Sequence, residues 1–322
     1  MISPELLKEL QVVDWGYTEE SKPVSFDRYS KWVSEGNQGA LSYLSDHRKD
    51  IRNDLKNLYP EFQSALVFLF SYRPAKKWLM DNKRHEIASY ALGFGGEDYH
   101  HSLKRSLESI LAELKNNHPT LEGYFTLDAQ PVLERDLAFR AGLGWFGKNS
   151  MLIHRSEGSY FIIGSILLNQ KIQEEKRVLE TDHCGQCRAC IDACPTLAID
   201  EETRTLKADR CISTFTIEMM KEVPAPAGME NSRGEIFGCD ICQDICPWNS
   251  KPLMRTDGAL SFEKFPSVGT LFTKSPEELI TFFEGESGRG IQKELQGTAL
   301  SRPGKKGWLK NLKFVTSRRS GS

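Results

Sequence analysis

The sequence predicts an α/β (α+β) domain, then a small cysteine-rich module, then a short helical segment with a basic end. Two apolar runs with the length of buried strands, residues 65–70 and 160–168, flank a helical pattern in the first half of the chain. All eight cysteines lie between Cys184 and Cys246. Residues 302–319 contain seven Lys or Arg and no acidic residue. We therefore divide the chain into residues 1–172, 173–250 and 251–322.

The first strand and the first long helix are the clearest elements of residues 1–172. Residues 64–72, SALVFLFSY, are apolar and rich in strand-forming residues, which predicts a buried strand. Residues 99–117 predict a helix, because apolar residues recur there at the spacing of one helical face. The residues of that face are Leu103, Leu107, Ile110, Leu111 and Leu114.

The remaining elements of this domain are shorter. Residues 123–129 predict a strand that enters a turn, and residues 133–145 predict a helix that stops near Gly142 and Gly144. The apolar segments 150–154 and 159–168 predict a hairpin on the same core. Residues 169–182 are charged and poorly periodic, which favours a domain boundary there.

The bulk composition is that of a globular protein. The net charge is −2 and 39% of the residues are hydrophobic. The chain has no apolar run of about 18 residues, so no membrane-spanning helix is predicted. The first ten residues lack the basic and apolar regions of a secretory signal, which predicts a cytoplasmic protein.

The cysteine spacing predicts two iron–sulfur clusters. Residues 184–195 follow the bacterial ferredoxin pattern C-x₂-C-x₂-C-x₃-C-P, in which the fourth cysteine binds the other cluster. A shorter run at 239–247 has the same ending but one cysteine fewer, and Cys211 completes the count. Zinc and disulfides are weaker alternatives, because zinc sites favour separated cysteine pairs and disulfide scaffolds occur in short secreted chains. The predicted ligands are Cys184, Cys187, Cys190 and Cys246 for cluster 1, and Cys194, Cys211, Cys239 and Cys242 for cluster 2.

Common nucleotide-binding motifs are missing. Gly93, Gly95 and Gly96 have neither the spacing nor the preceding strand of a dinucleotide fingerprint. The chain has no P-loop, and the CxxxCxxC of radical SAM enzymes is absent. Nicotinamide, ATP and SAM are therefore not predicted as cofactors.

Five ordered motifs carry a family resemblance. They are YALG…DYHHSL (90–103), LDAQPVLERDLAFRAGLGWFGKNSMLI (127–153), the first cysteine run, RCISTFTIE (210–218) and GCDICQDICPWN (238–249). Together they resemble the epoxyqueuosine reductases, over roughly residues 1–315. The resemblance implies a cobalamin-binding domain fused to a bacterial-type two-cluster ferredoxin-like domain. It also implies a monomer that reduces epoxyqueuosine to queuosine in the wobble position of tRNA. Its electrons come from an external low-potential donor such as flavodoxin or ferredoxin.

The resemblance also assigns site residues. Asp128 matches the proton donor above the cobalt, and we expect burial over the corrin ring to raise its pKa. Arg52, Ala88 and Leu152 match cobalamin contacts. The usual motif is DTGP, and here it reads DAQP, with Asp128 kept.

Several neighbouring residues have simpler interpretations. Asp128 can instead cap the following turn. We interpret Glu134 and Asp136 as charges at a helix N-terminus. His100 and His101 lie near the start of a helix, in supporting or solvated roles.

The basic end, residues 302–319, has two interpretations. Its cations and aromatics can bind tRNA phosphates and bases, or Trp308, Leu309 and Leu312 can pack on the core. Two other functions also remain open: a cobalamin-dependent dehalogenase acting on a small molecule, and a ferredoxin-type electron-transfer protein.

Overall fold

The computed structural model describes residues 2–82, 85–172, 174–255 and 260–319. The predicted boundary at residue 173 thus lies outside the described residues. The helices of the first half are α1 (Pro4–Glu9), α2 (Phe26–Ser34), α3 (Arg48–Ile51), α4 (Arg73–Asp81), α5 (Tyr99–Asn117) and α6 (Glu134–Arg140). The later helices are α7 (Ala189–Asp192), α8 (Ile241–Asp244), α9 (Pro247–Leu253), α10 (Pro266–Leu271), α11 (Pro276–Gly285), α12 (Gly288–Glu294) and α13 (Gly304–Arg319).

The central sheet of the first half is antiparallel and has the strand order β1-β2-β7-β4. The strands of the chain are β1 (Val12–Thr18), β2 (Ser64–Ser71), β3 (Glu86–Ile87), β4 (Gly123–Thr126), β5 (Trp145–Phe146), β6 (Leu152–Ile153), β7 (Phe161–Leu168), β8 (Ile199–Asp200), β9 (Thr205–Leu206) and β10 (Glu235–Phe237). The four-stranded order places β2 and β7 in the interior of the sheet, so both of their edges are paired.

Strand β2 is apolar throughout because both faces of the sheet are covered. Side chains alternate between the faces of a strand. Leu66 and Phe68 pack with the apolar face of α5, whereas Ala65 and Val67 pack with α6. The predicted strand 64–72 and helix 99–117 are confirmed, and the five predicted apolar residues of α5 are all buried.

The shorter elements differ from the predictions in two places. The predicted hairpin of 150–154 with 159–168 is wrong: β6 pairs with β5, and β7 pairs with β2 and β4, which occupy both of its edges. His154, the last residue of the first segment, forms an isolated bridge with Gly158 in the turn that follows it. The predicted helix 133–145 ends at Arg140, because Gly142 follows with a φ of +74° and closes the turn. The strand at 123–129 is confirmed over residues 123–126.

The cysteine-rich module is made of short pieces. Helices α7 and α8 each lie within one cysteine run, and β8 pairs with β9 in a small hairpin. A π-helix, Thr214–Glu218, follows Cys211. Such short elements bury little apolar surface, as expected of a module held by metal.

The C-terminal helices pack against residues from all three predicted segments. Strand β10 of the cysteine-rich module pairs in parallel with β3 of the first half. Around this pair α11, α12, α13 and α4 share one apolar core, with Phe237, Phe283 and Trp308 among its fully buried side chains. In the described ranges, no helix combines the length and apolarity needed to cross a bilayer.

Candidate active site and metal centres

The first quartet of thiols is Cys184, Cys187, Cys190 and Cys246, and all four line one cavity. The cavity holds about 370 Å³ of open space beside Ile153 and Trp248. Cys246 lies directly before Pro247, the first residue of α9, and its thiol lines the same cavity. The last cysteine of the second run therefore joins the first three of the first run, as the ferredoxin pattern predicts.

The second quartet is Cys194, Cys211, Cys239 and Cys242, and these four line a second, larger cavity. Cys211 lies just before the π-helix, about midway between the two runs in sequence. It thus supplies the cysteine that the second run lacks. The two cavities bring together the same two sets of cysteines that were predicted, and their assignment as cluster ligands stays a prediction.

The thiols within each set perturb one another. Burial raises the pKa of Cys190 to about 11, and the neighbouring Cys246, Cys184 and Cys187 contribute in the same direction. Burial also raises the pKa of Cys242 well above its usual range, with Cys211 the largest charge contribution. Packed thiols of this kind ionise only when a cation is bound among them, so both sets suit thiolate ligation.

The arrangement favours clusters over zinc. In the part of the chain that the structure describes, no group of three or more His, Cys, Asp or Glu is close enough to hold a single metal ion. A cubane spreads its four thiolates around a larger body than one zinc ion, whose sulfur ligands all lie about 2.3 Å from the metal. Two cavities, each lined by four thiols, fit two cubane clusters.

A cleft separates the central sheet from the second quartet. It is the larger of the two cavities and holds about 990 Å³ of open space. Its walls combine Ala88 and Tyr90 from the first half, Met151 from the loop before β6, and Ile212 and Ser213 beside the π-helix. A mostly apolar concave site with a few polar groups, bordered by four thiols, has the character of an organic cofactor site.

Asp128 is linked to the wall of this cleft through two tyrosines. The Tyr90 ring, on the cleft wall, contacts the Tyr99 ring at 5.7 Å between centroids. The Tyr99 hydroxyl donates to Asp128 Oδ2 at 2.6 Å. His100 Nε2 lies 3.6 Å from the same oxygen. The φ of Asp128 is +59°, a left-handed conformation that costs a non-glycine residue energy and is often found at functional sites.

Asp128 is a carboxylate at neutral pH in this conformation. Burial tends to raise its pKa, but the neighbouring His100, the hydrogen bond from Tyr99 and the charge of Arg302 lower it overall. The raised pKa expected over a corrin ring stays a prediction.

Glu134 is the carboxyl with the raised pKa. It is the first residue of α6, as predicted for a helix-terminal charge, and its Oε1 accepts the Asp128 backbone N–H at 2.5 Å. Burial and the Asp128 charge raise its pKa to about 8. Asp136 also lies in the first turn of α6, as predicted, where it is buried and bonded to Arg140 at 2.6 Å.

Comparison with known proteins identifies the family. The family model "4Fe-4S double cluster binding domain" matches residues 183–249, and "Epoxyqueuosine reductase QueG, DUF1730" matches residues 52–129. The epoxyqueuosine reductase of Cyclobacterium marinum is 33% identical over 310 residues, covering 94% of this chain and 91% of that protein. The chain belongs to the epoxyqueuosine reductase family. The predicted enzyme class, an oxidoreductase, is thereby confirmed.

Two solved epoxyqueuosine reductases share the fold at 25% identity, each covering 98% of this chain and 80% of its own. One was solved with an epoxyqueuosine-modified tRNA stem loop and has a TM-score of 0.76. The other, from Bacillus subtilis, has a TM-score of 0.75, and its catalytic loop, which carries an aspartate, is swung out of the active site.

The other residues assigned from the family resemblance lie at different depths. Ala88 lines the cleft. Leu152 is buried in the core beneath the sheet, and its neighbour Met151 lines the cleft instead. Arg52 lies away from the thiols, donating to the Tyr43 carbonyl at 3.4 Å.

Sequence reasoning missed three side chains that surround Asp128 in this family member. Tyr43, Glu218 and Arg302 come from distant segments, and each influences a pKa in this region. Arg302 donates to Glu218 Oε2 at 2.8 Å. The sequence around each of these three residues carries no motif, so their closeness in space becomes apparent only from the fold.

At Trp308, the basic end packs on the core, which is the second of its two interpretations. Trp308 is fully buried between Phe237 and Phe283, and its indole N–H donates to the Leu300 carbonyl at 2.9 Å. It is therefore not free to stack on a base. Lys306 is exposed on the same helix. The side chain of Arg319 lies outside the described residues.

Proposed function

We propose that this chain reduces epoxyqueuosine to queuosine at the wobble position of tRNA, the last step of queuosine synthesis, with cobalamin and two 4Fe–4S clusters. Its family membership supports the reaction, and a relative solved with a modified tRNA stem loop supports the substrate. The observation that carries the proposal is that the second thiol quartet lines a cleft whose wall residue Tyr90 is connected through Tyr99 to Asp128.

The cleft would hold cobalamin. Ala88 and Tyr90 would contact it from the sheet side, and Met151 and Ser213 from the opposite side. Bound cobalamin supplies a cobalt centre that passes electrons to the substrate. The second quartet lines the same cleft, so a cluster held there delivers electrons over a short path.

The external electron donor would act at the first quartet. Cys187 is exposed, whereas the second quartet faces the internal cleft. Helix α7 of the first cysteine run packs against α8 of the second, so the two quartets are neighbours. Electrons would therefore enter at cluster 1 and leave at cluster 2.

Asp128 would protonate the oxygen that leaves the epoxide. The overall reaction takes up two electrons and two protons and releases water, so an acid must lie next to the substrate. Tyr99 and Glu134 hold Asp128 by its side chain and its backbone respectively. We place the modified base between this residue and the cleft.

The protein would act as a cytoplasmic monomer on tRNA. Exposed cations of the C-terminal helix, such as Lys306, would contact phosphates of the anticodon arm. The aromatic residue Trp308 would only anchor that helix.

The test is anaerobic turnover of modified tRNA. We would reconstitute the protein with iron, sulfide and cobalamin, add a strong reductant and epoxyqueuosine tRNA, and determine nucleoside masses. We expect the loss of one oxygen, dependent on added cobalamin. With Asp128→Asn we expect cluster and cobalamin contents to be kept and turnover to be lost. An unchanged nucleoside with all cofactors bound would refute the substrate, and full turnover by the variant would refute the role of Asp128.

A further inference from the structure

An acid that is ionised at rest needs a source for its proton. Asp128 accepts from Tyr99 and faces His100, and its lowered pKa makes it a carboxylate at neutral pH. Tyr99 is a poor source, because burial and the Asp128 charge raise the pKa of its phenol far above neutrality. Of the described residues, His100 lies next to this same oxygen and its imidazole carries an exchangeable proton. Glu134 also holds a proton at neutral pH, but it contacts the Asp128 backbone N–H.

The geometry of His100 is that of a bridge from solvent to Asp128. Its Nδ1 lies 2.8 Å from Asp98 Oδ1, which fixes the ring orientation. Its Nε2 points toward Asp128 Oδ2 at 3.6 Å. That distance is longer than a hydrogen bond, but catalytic contacts in a free enzyme often shorten when substrate binds. The side chain is 32% exposed, so the ring can exchange protons with water.

The charges around His100 favour its cationic form. The Asp128 carboxylate 3.6 Å away and the hydrogen-bonded Asp98 raise its pKa to about 9, against a smaller opposing effect of burial. Three other charged or titratable groups lie near His100 and its two carboxylate neighbours. They are Glu134, near both His100 and Asp128, Arg302, near Asp128, and His101, near Asp98.

We infer that His100, oriented by Asp98, is a positioning residue that stores the proton and passes it to Asp128 for delivery to the departing epoxide oxygen. This inference rests on the proposed function, and it gives the Asp98–His100 pair at the start of α5 a role in the reaction.

The proton path conserves atoms and charge. One C–O bond of the epoxide breaks and its oxygen takes a proton from Asp128; the second C–O bond breaks when the second proton arrives, so that the alkene forms and water leaves. Asp128 takes the Nε2 proton of His100, and the neutral imidazole then regains a proton from water. Both electrons come from the external one-electron donor of the reductase reaction, and none comes from these residues. A second pass through the same path supplies the second proton of the released water.

The test compares His100→Gln with His101→Gln. The two histidines are adjacent, and His101 is exposed and not in contact with Asp128. For His100→Gln we expect kcat to fall by about 100-fold at neutral pH with KM changed little, because general acid catalysis is worth about 10²–10⁴-fold. We expect His101→Gln to retain wild-type kcat. Cluster absorbance and cobalamin binding of both variants check that the fold is intact.

The pH profile separates a proton store from a structural role. The protonated form of His100 persists until its pKa of about 9, so wild-type kcat should stay level between about pH 6 and 8 and fall above 9. In His100→Gln, Asp128 must be reprotonated by solvent, so kcat should fall about tenfold per pH unit over the same range. We also expect added imidazole to restore part of the turnover of His100→Ala.

The outcomes distinguish the two proposals. If the wild-type protein leaves epoxyqueuosine unchanged, the proposed function falls and the proton path falls with it. If the wild type is active and Asp128→Asn is inactive, but His100→Gln keeps the wild-type rate and pH profile, only the role of His100 is refuted. A uniform loss in His100→Gln with a wild-type pH profile and no imidazole rescue would likewise refute it.

Discussion

The crossed assignment of the cysteines can be tested with pairs of serine substitutions. Cys184 and Cys246 line the same cavity, whereas Cys194 lines the other. Cys184→Ser combined with Cys246→Ser therefore damages one cluster only. Cys184→Ser combined with Cys194→Ser damages both.

The magnitude follows from four irons per cluster. We expect about eight irons in the wild type and about four in the Cys184/Cys246 pair, where the intact cluster remains. We expect fewer than about four in the Cys184/Cys194 pair, because neither cluster keeps its four ligands. Iron and sulfide analysis after anaerobic reconstitution gives these numbers, and EPR of the dithionite-reduced protein shows whether a complete 4Fe–4S signal remains.

If each cysteine run holds its own cluster, the results expected for the two double variants are exchanged. Uncrossed ligation would place Cys194 with Cys184 and would place Cys246 with Cys239. The Cys184/Cys194 pair would then keep one intact cluster and the Cys184/Cys246 pair would lose both. That result would refute the assignment made from the two cavities.

Two further predictions concern the packing that holds the site. Asp136→Ala should cost about 3–5 kcal/mol of unfolding free energy, since it leaves the Arg140 guanidinium buried without its partner. Lys31→Ala, which removes an exposed ion pair with Glu35, should cost at most about 0.5 kcal/mol in the same urea titration. Equal losses in these two variants would contradict the argument. Trp308→Ala should cost about 3–5 kcal/mol, because the indole is fully buried. A loss below about 1 kcal/mol would show that α13 is not anchored through this residue.

The sequence predicts the elements whose signal is local. The five apolar residues of α5 recur at helical spacing, and the strand at 64–72 is apolar because both of its faces are covered. The division of the cysteines was predicted because thiolate spacing within a run follows the geometry of the cluster, whatever the surrounding fold. These patterns depend on residues that are close along the chain.

Features that depend on distant partners were not predicted. The segment 150–154 was paired with β7 because the two are neighbours in sequence, but β2 and β4 occupy both edges of β7. Strand β1 was missed, since it borders the sheet through β2, about fifty residues away. The basic end left two interpretations open because cations mixed with aromatics suit both tRNA binding and core packing, and only the burial of Trp308 decides for the aromatic part.

The site itself depends on one close approach between distant segments. Strand β3 ends directly before Ala88, and β10 ends directly before Gly238 and Cys239, so their parallel pairing brings the second cysteine run to the cleft wall. A Cβ atom on Gly238 would lie 2.3 Å from the Ala88 Cβ, and the φ of Gly238 is +65°. Glycine is thus required there for both space and conformation. The two-residue pairing of β3 and β10 has no periodicity that a sequence pattern reveals, yet it positions the second cysteine run at the cleft next to which we propose that Asp128 and His100 supply protons.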